Sequence, residues 1–324
     1  MYGYGRQYGK IFGGSIGQTL ADAYKARVEA DGGTYENNSC LVSFINSLNP
    51  YSGNLLLGLY PNAAAAYSLR LLNPDYTGDA IRVRRSSDNT EQDIGFVSGI
   101  LDTASLLTFC GAGDGFVTTW YDQSGNAYDA TQTTAASQPK IVSSGSVILE
   151  NGKPSLQFDE SDDWLATSVA YPTQEYQNTY YVASSTGTNN RIFDTRGTGA
   201  AGTVKGWQHK FSNGTDVTAI DSGAVINLAT NNILRIGQKL VSVLMYGGSG
   251  SVIDEYTNSG SLVSASGISI DFNSGNALYI AANVNGQTTQ LFGGKLQEGI
   301  FYNINTSSNR TGIETNINTY YSIY

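Results

Sequence analysis

From about Gly53 onward the chain repeats one pattern: short apolar or alternating runs broken by Gly, Asn, Asp and Ser. Ile81-Arg-Val-Arg-Arg85 alternates, which puts Arg82 and Arg84 on one face of a strand and Ile81, Val83 and Arg85 on the other. Phe116–Tyr121, Tyr180–Ala183, Arg191–Phe193, Val217–Ile220, Lys239–Tyr246, Val252–Tyr256, Ala277–Ala281 and Leu296–Tyr302 read as further strands. Ser146–Leu149 and Pro154–Phe158 flank Asn151-Gly152, a strong hairpin signal because both residues tolerate positive φ. Many short strands at near-regular spacing predict an all-β sandwich or barrel. Ala63–Leu72 is Ala-rich and reads as a helix, and Ile313, Ile317 and Tyr320 recur with the spacing of a last short helix.

The first fifty residues differ. Residues 1–14 are rich in Gly and Tyr and cannot bury a core, so they read as an extended arm that orders only against a partner. Ser15-Ile-Gly-Gln18 has the form of a capping box. Ile16, Leu20, Tyr24 and Val28 then recur every four residues, and Leu41, Phe44, Ile45 and Leu48 follow before Pro50. Residues 1–50 are therefore expected to be an arm and two short amphipathic helices, and residues 51–324 a sandwich.

Composition narrows the class. Thirty-eight Gly, 22 Tyr and only 14% charged residues suit a turn-rich β protein. A formal net charge of −9 argues against nucleic acid and against an anionic membrane surface. Cys40 and Cys110 fit neither a disulfide framework nor a zinc site, and two buried thiols are expected, with one bridge as the alternative. The N-terminal stretch lacks the continuous apolar core of a secretion signal, and no run of 18 apolar residues occurs.

A series in fixed order carries a resemblance. It runs Ala65-Ala-Tyr-Ser-Leu-Arg70, Ile81-Arg-Val-Arg-Arg-Ser-Ser-Asp88, Asp93-Ile-Gly95, Trp120-Tyr-Asp-Gln-Ser-Gly125, Phe158-Asp-Glu-Ser-Asp-Asp163 and Ile317-Asn-Thr-Tyr-Tyr321. It resembles the concanavalin A-like (laminin-G-like) jelly-roll domains of bacteriophage tail fibres, spikes and head decorations. The first half is also similar to the catalytic domain of α-L-arabinofuranosidase B enzymes.

The phage resemblance implies a structural virion protein, not an enzyme, assembled in the host cytoplasm. It would attach to capsid, portal or tail through residues such as Tyr4, Arg6, Tyr8, Ile16, Leu20 and Tyr24. It would form homo-oligomers, with trimers favoured, and display a sandwich that binds host surface polysaccharide. The alternative is an arabinofuranosidase-like hydrolase.

Glycosidases need two carboxylates near one another. Asp122, Asp159, Asp162, Asp163, Glu255, Asp271 and Glu298 are available. The arabinofuranosidase resemblance puts the proton donor in a Gly-Gly-Asp-Asn stretch, whose nearest counterpart is Ile280-Ala-Ala-Asn-Val284. Asn283 then stands where the acid would be, and an amide cannot donate that proton. No catalytic residue is assigned on this reading.

Asp122-Gln123-Ser124-Gly125 reads as a structural corner, because the single histidine, His209, is remote in sequence from Ser124. Asp159, Asp162 and Asp163 form a candidate calcium cluster, or else a polar hairpin tip. Arg82, Arg84 and Arg85 read as a solvated face paired with acids, a sugar-acid contact being the alternative. Trp207, Tyr171, Tyr176 and Tyr180 are candidate stacking surfaces for a glycan, or else loop anchors in the core.

Overall fold

A computed structural model describes residues 55–172, 175–185, 189–196, 205–212, 215–221, 224–228, 237–247, 250–267, 271–272, 275–283 and 291–324. The stretch expected to form an arm and two helices lies outside them, as do Cys40 and the expected attachment residues Tyr4, Arg6, Tyr8, Ile16, Leu20 and Tyr24. Leu55–Tyr324 is one compact unit.

In chain order the first strands are β1 (Ala65–Ser68), β2 (Ile81–Arg85), β3 (Glu91–Ile94), β4 (Phe96–Val97), β5 (Ile100–Leu101), β6 (Gly115–Trp120), β7 (Ala130–Thr131), β8 (Lys140–Ser143), β9 (Ser146–Val147), β10 (Leu149–Glu150) and β11 (Lys153–Pro154). They continue as β12 (Leu156–Asp159), β13 (Leu165–Thr167), β14 (Tyr176–Ser185), β15 (Asn189–Asp194), β16 (Lys205–Ser212) and β17 (Thr215–Asp221). The last are β18 (Ala224–Leu228), β19 (Lys239–Tyr246), β20 (Val252–Thr257), β21 (Ser261–Ser266), β22 (Tyr279–Ile280) and β23 (Gly293–Tyr302). The described helices are α1 (Leu56–Leu59), α2 (Thr103–Cys110) and α3 (Arg310–Tyr321).

All pairings are antiparallel and they build two layers. The first runs β3-β2-β6-β7-β13-β22-β15-β16-β17-β18. The second runs β8-β12-β23-β14-β19-β20-β21, with β1 beside β12 along the long strand β23. β8 also pairs with β6, so the layers share a strand at one edge. This is the all-β sandwich the strand spacing predicts.

Alternation decides which side chains meet between the layers. Trp120, Ala130, Leu165, Ile280, Phe193 and Trp207 of the first sheet bury against Tyr67, Tyr181, Val243 and Phe301 of the second. Aromatic rings dominate the contact: Phe193 meets Phe301 edge-on at 4.9 Å, and Trp207 stacks on Phe301 at 6.2 Å. The Asn151-Gly152 hairpin forms as expected, with φ of 48° and 73°, between β10 and β11.

The Ala-rich run is a correction. Ala65–Ser68 is a strand, not a helix, and all four of its residues are buried. A strand covered on both faces shows no alternation, so its periodicity is the same as that of a buried helix segment. The expected last helix is present, with Ile313, Ile317, Tyr320 and Tyr321 buried against the second sheet.

Candidate functional site

The Trp120–Gly125 corner is architecture. Asp122 Oδ1 accepts from the backbone N–H of Ala66 (2.8 Å) and Ser124 (2.9 Å), while Oδ2 accepts from Ser124 Oγ (2.6 Å) and Tyr128 N (3.0 Å). Gln123, fully buried, donates to the carbonyls of Ser68 and Arg70 and accepts from Leu72 N. The corner thus ties β1 and the chain after it to the end of β6, and the half-buried Ser124 hydroxyl is committed to Asp122. His209 is also fully buried, and neither ring nitrogen has a hydrogen-bond partner. Burial pushes its pKa down to about 3, so the ring is a neutral aromatic packed on Trp207 at 4.9 Å.

Three of the four glycan-stacking candidates are corrected by burial. Trp207 has no exposed surface, lies between His209 and Phe301, and donates its indole N–H to Gln177. Tyr171 is 2% exposed and edge-on to Tyr128 and Phe301. A sugar ring cannot reach either face. Tyr176 is half-buried, 5.2 Å from Tyr246, and the two rings line a recess of about 220 Å³ with Asn178, Asp254 and Asn305. Tyr180, also buried, hydrogen-bonds Thr306 under the second sheet's cover.

The arginine strand behaves as a solvated face. Arg82 pairs with Asp93 (2.8 Å), Arg85 with Asp88 (2.6 Å), and Arg84 hydrogen-bonds Gln138 (2.7 Å).

The acidic hairpin does converge. One carboxylate oxygen from each of Asp159, Asp162 and Asp163 lies within 4.8 Å of the others. Asp159 Oδ1 accepts from Ser161 N and Asp162 N, and Asp163 Oδ2 accepts from Asp159 N. Asp159 and Asp163 border a recess of about 300 Å³ shared with Phe116, Gln138, Lys140 and Gln157. Asp163 is buried, and burial together with the Asp159 charge raises its pKa to about 7. A hard divalent cation suits three carboxylates, and it would relieve the crowding that Asp163 now relieves by holding a proton.

The Asn283 neighbourhood is the second polar centre. The register Ala166↔Tyr279↔Asp194↔Gln208 turns these residues away from the aromatic core. A register shift between Arg191 and Phe193 brings Arg191, opposite Lys210, onto the same face. Asp194 Oδ1 accepts from Arg196 N (2.8 Å) and Nε (3.1 Å), and its Oδ2 accepts from Arg196 Nη2 (2.8 Å) and Arg191 Nη1 (3.4 Å). Arg196 also reaches Asn283 Oδ1 at 3.4 Å. Asp194 has no exposed surface, so this carboxylate anchors two guanidiniums and is closed to a substrate carbon. Trp164 and Tyr279, their rings 5.9 Å apart, continue the face.

Of the other carboxylates named from sequence, Glu298 is buried in an ion pair with Arg70 at 2.8 Å, and Asp271 is exposed and paired with Lys205. Glu255 is buried on β20. The arginine–aspartate centre lies within the stretch Arg191–Arg196, and it escapes sequence reading because simple alternation puts Arg191 and Asp194 on opposite faces and only the register shift brings them together. The alternation Trp207-Gln208-His209-Lys210 is the signal that would have placed Trp207 inside and Lys210 outside.

Residues 57–206 match the model of the α-L-arabinofuranosidase B catalytic domain. No curated protein sequence matches the chain. Among solved structures, one similar fold is an arabinofuranosidase complexed with arabinofuranosyl-α-1,2-xylobiose, at 18% identity and TM-score 0.56, covering 84% of this chain and 64% of that one. A mutant of a GH54 α-L-arabinofuranosidase soaked with 4-nitrophenyl α-L-arabinofuranoside matches at 17% identity and TM-score 0.54, over 79% and 62%. A GH54 enzyme soaked with a cyclic sulfate inhibitor matches at 18% and 0.52, over 79% and 62%. The chain therefore spans less than two thirds of the length of these structures.

These findings overturn the expectation of a non-enzymatic virion spike, head fibre or tail fibre protein and of a virion location. What residues 57–206 match is a glycoside hydrolase catalytic domain. The sandwich as a whole is similar to arabinofuranosidase folds.

Proposed function

We propose that the chain is a glycoside hydrolase of the α-L-arabinofuranosidase type. The observation that carries the reading is the match of residues 57–206 to that catalytic domain. The chemistry needs a carboxylate that holds its proton near neutral pH and a second carboxylate close by. Asn283 cannot be the donor, and Asp194 is sealed by two arginines. Asp163 and Asp159 meet both requirements among the described residues: oxygens within 4.8 Å, a pKa of about 7 on Asp163, and an adjoining open recess. Retaining glycosidases set their pair about 5–5.5 Å apart. Asp163 is then the general acid, and Asp159, exposed and without that burial, the nucleophile.

Turnover of 4-nitrophenyl α-L-arabinofuranoside tests both parts. The unaltered chain should release nitrophenol, and Asp163→Asn should lower the rate about 10²–10⁴-fold with the fold retained by circular dichroism. No release by the unaltered chain sinks the activity. Release that survives both Asp163→Asn and Asp159→Asn leaves the activity and removes the pair. Calcium is the rival occupant of the same carboxylates: if it binds there, added Ca²⁺ should suppress turnover and EDTA should restore it.

A further inference from the structure

The Arg191–Asp194–Arg196–Lys210 centre has no part in that mechanism, and among the described residues its charge does not balance. Two arginines hold one carboxylate, both of whose oxygens are committed to them, and Lys210 stands beside the arginines as a third cation. Lys210 makes no ion pair among the described residues, although Arg191 lies directly opposite it on β15. Burial, then Arg191 and Arg196, push the Lys210 ammonium below the usual lysine value. Arg191 is only 8% exposed, and its Nε has no hydrogen-bond partner. Gln208, 2% exposed on the same face, has an unpartnered amide oxygen. A buried donor without a partner is costly, and like charges held together add to that cost. Proteins keep such arrangements where a ligand completes them.

We propose that this face is a subsite for a carboxylate-bearing sugar, a uronic acid residue. A planar carboxylate suits guanidinium donors and an ammonium arranged around one point. It supplies the negative charge that Asp194 alone does not. The sugar ring has surfaces to lie on, since Trp164 and Tyr279 are partly exposed on the same face. The carbohydrate part of this inference rests on the proposed hydrolase reading, and the charged part rests on the arginine–lysine geometry alone.

Isothermal titration calorimetry of the full chain tests it with three probes: methyl β-D-glucuronide, methyl β-D-glucoside as the uncharged control, and sodium sulfate as the bare anion. The glucuronide should bind at least about tenfold more tightly than the glucoside, and its affinity should fall as salt rises. Lys210→Met should weaken glucuronide binding about tenfold, and Lys210→Arg should restore most of it. Equal affinity for glucuronide and glucoside, no binding of either, or no effect of Lys210→Met would overturn the proposal. Sulfate binding as tightly as the glucuronide overturns the sugar part and leaves an anion site. Turnover of the neutral aryl arabinofuranoside is the separate readout. Intact turnover without a glucuronide preference refutes this subsite alone. Glucuronide binding without any turnover refutes the hydrolase alone.

Discussion

The outward faces of the two sheets handle buried charge in opposite ways. On the second sheet, Arg70 and Glu298 meet in a bidentate pair, Nε to Oε2 at 2.8 Å and Nη2 to Oε1 at 3.0 Å. Ser68 Oγ adds a bond to Oε2, and Asn316 takes the remaining Arg70 Nη1. α3 lies over them, with the Tyr320 ring 5.2 Å from the guanidinium. Every charge there has its complement. On the first sheet, Arg191 and Arg196 share Asp194, Lys210 makes no ion pair among the described residues, and the buried Arg191 Nε donor stays open. A sealed, neutral network holds a helix on a sheet. A surplus of one sign at a half-open face is a place where something else is bound.

The comparison can be broken first on its sealed side. Glu298→Gln removes one charge and strands the buried Arg70. Unfolding by denaturant should show a loss of about 3–5 kcal/mol. A loss below 1 kcal/mol would mean that water reaches the pair and that α3 does not seal it.

Beneath the first sheet, His209 sharpens the contrast, since it is kept neutral rather than paired. Its pKa is lowered from 6.5 to about 3, so the unfolded chain binds more protons between those values, and stability falls as pH drops from 6.5 towards 3. The loss by pH 4 should be about 3 kcal/mol. His209→Phe should flatten that limb of the pH–stability curve while keeping the ring contacts with Trp207, Phe193 and Tyr181.

Asp163 runs the other way. Its folded pKa is raised to about 7, so the folded state holds the extra proton and stability falls as pH rises from about 4 to 7. With partial solvent screening the effect is on the order of 1–2 kcal/mol. Asp163→Asn should remove it, as read from melting temperature against pH.

The smallest effect belongs to the unbalanced face itself. Lys210→Met removes a like charge and should raise stability by about 0.5 kcal/mol in the absence of ligand. An equal loss would show that Lys210 already has a structural partner.

How far the sequence reveals this depends on whether a feature lies in one stretch. Lys239–Tyr246 and the Asn151-Gly152 hairpin are local and are read correctly. The Asp159–Asp163 cluster is legible as a cluster, but its raised pKa is a matter of burial that no spacing encodes. Ala65–Ser68 misleads because both of its faces are covered. Trp207 misleads because its neighbours Gln208 and Lys210 make the segment look polar, although alternation turns Trp207 and His209 inward. Arg191, Asp194 and Arg196 are close in sequence, but the register shift that puts Arg191 on their face and the pairing that sets Lys210 of β16 opposite it are not legible in one-dimensional order.

β8 remains. Lys140 lies opposite Phe116 on β6 and opposite Gln157 on β12, so a single residue position is stitched to both layers. The sandwich is at that edge a continuous hoop rather than two plates held by grease. Its layers cannot part there without breaking backbone bonds in both, so the amides around Lys140 should be among the last to exchange with solvent, and heat should undo the two sheets together rather than in turn.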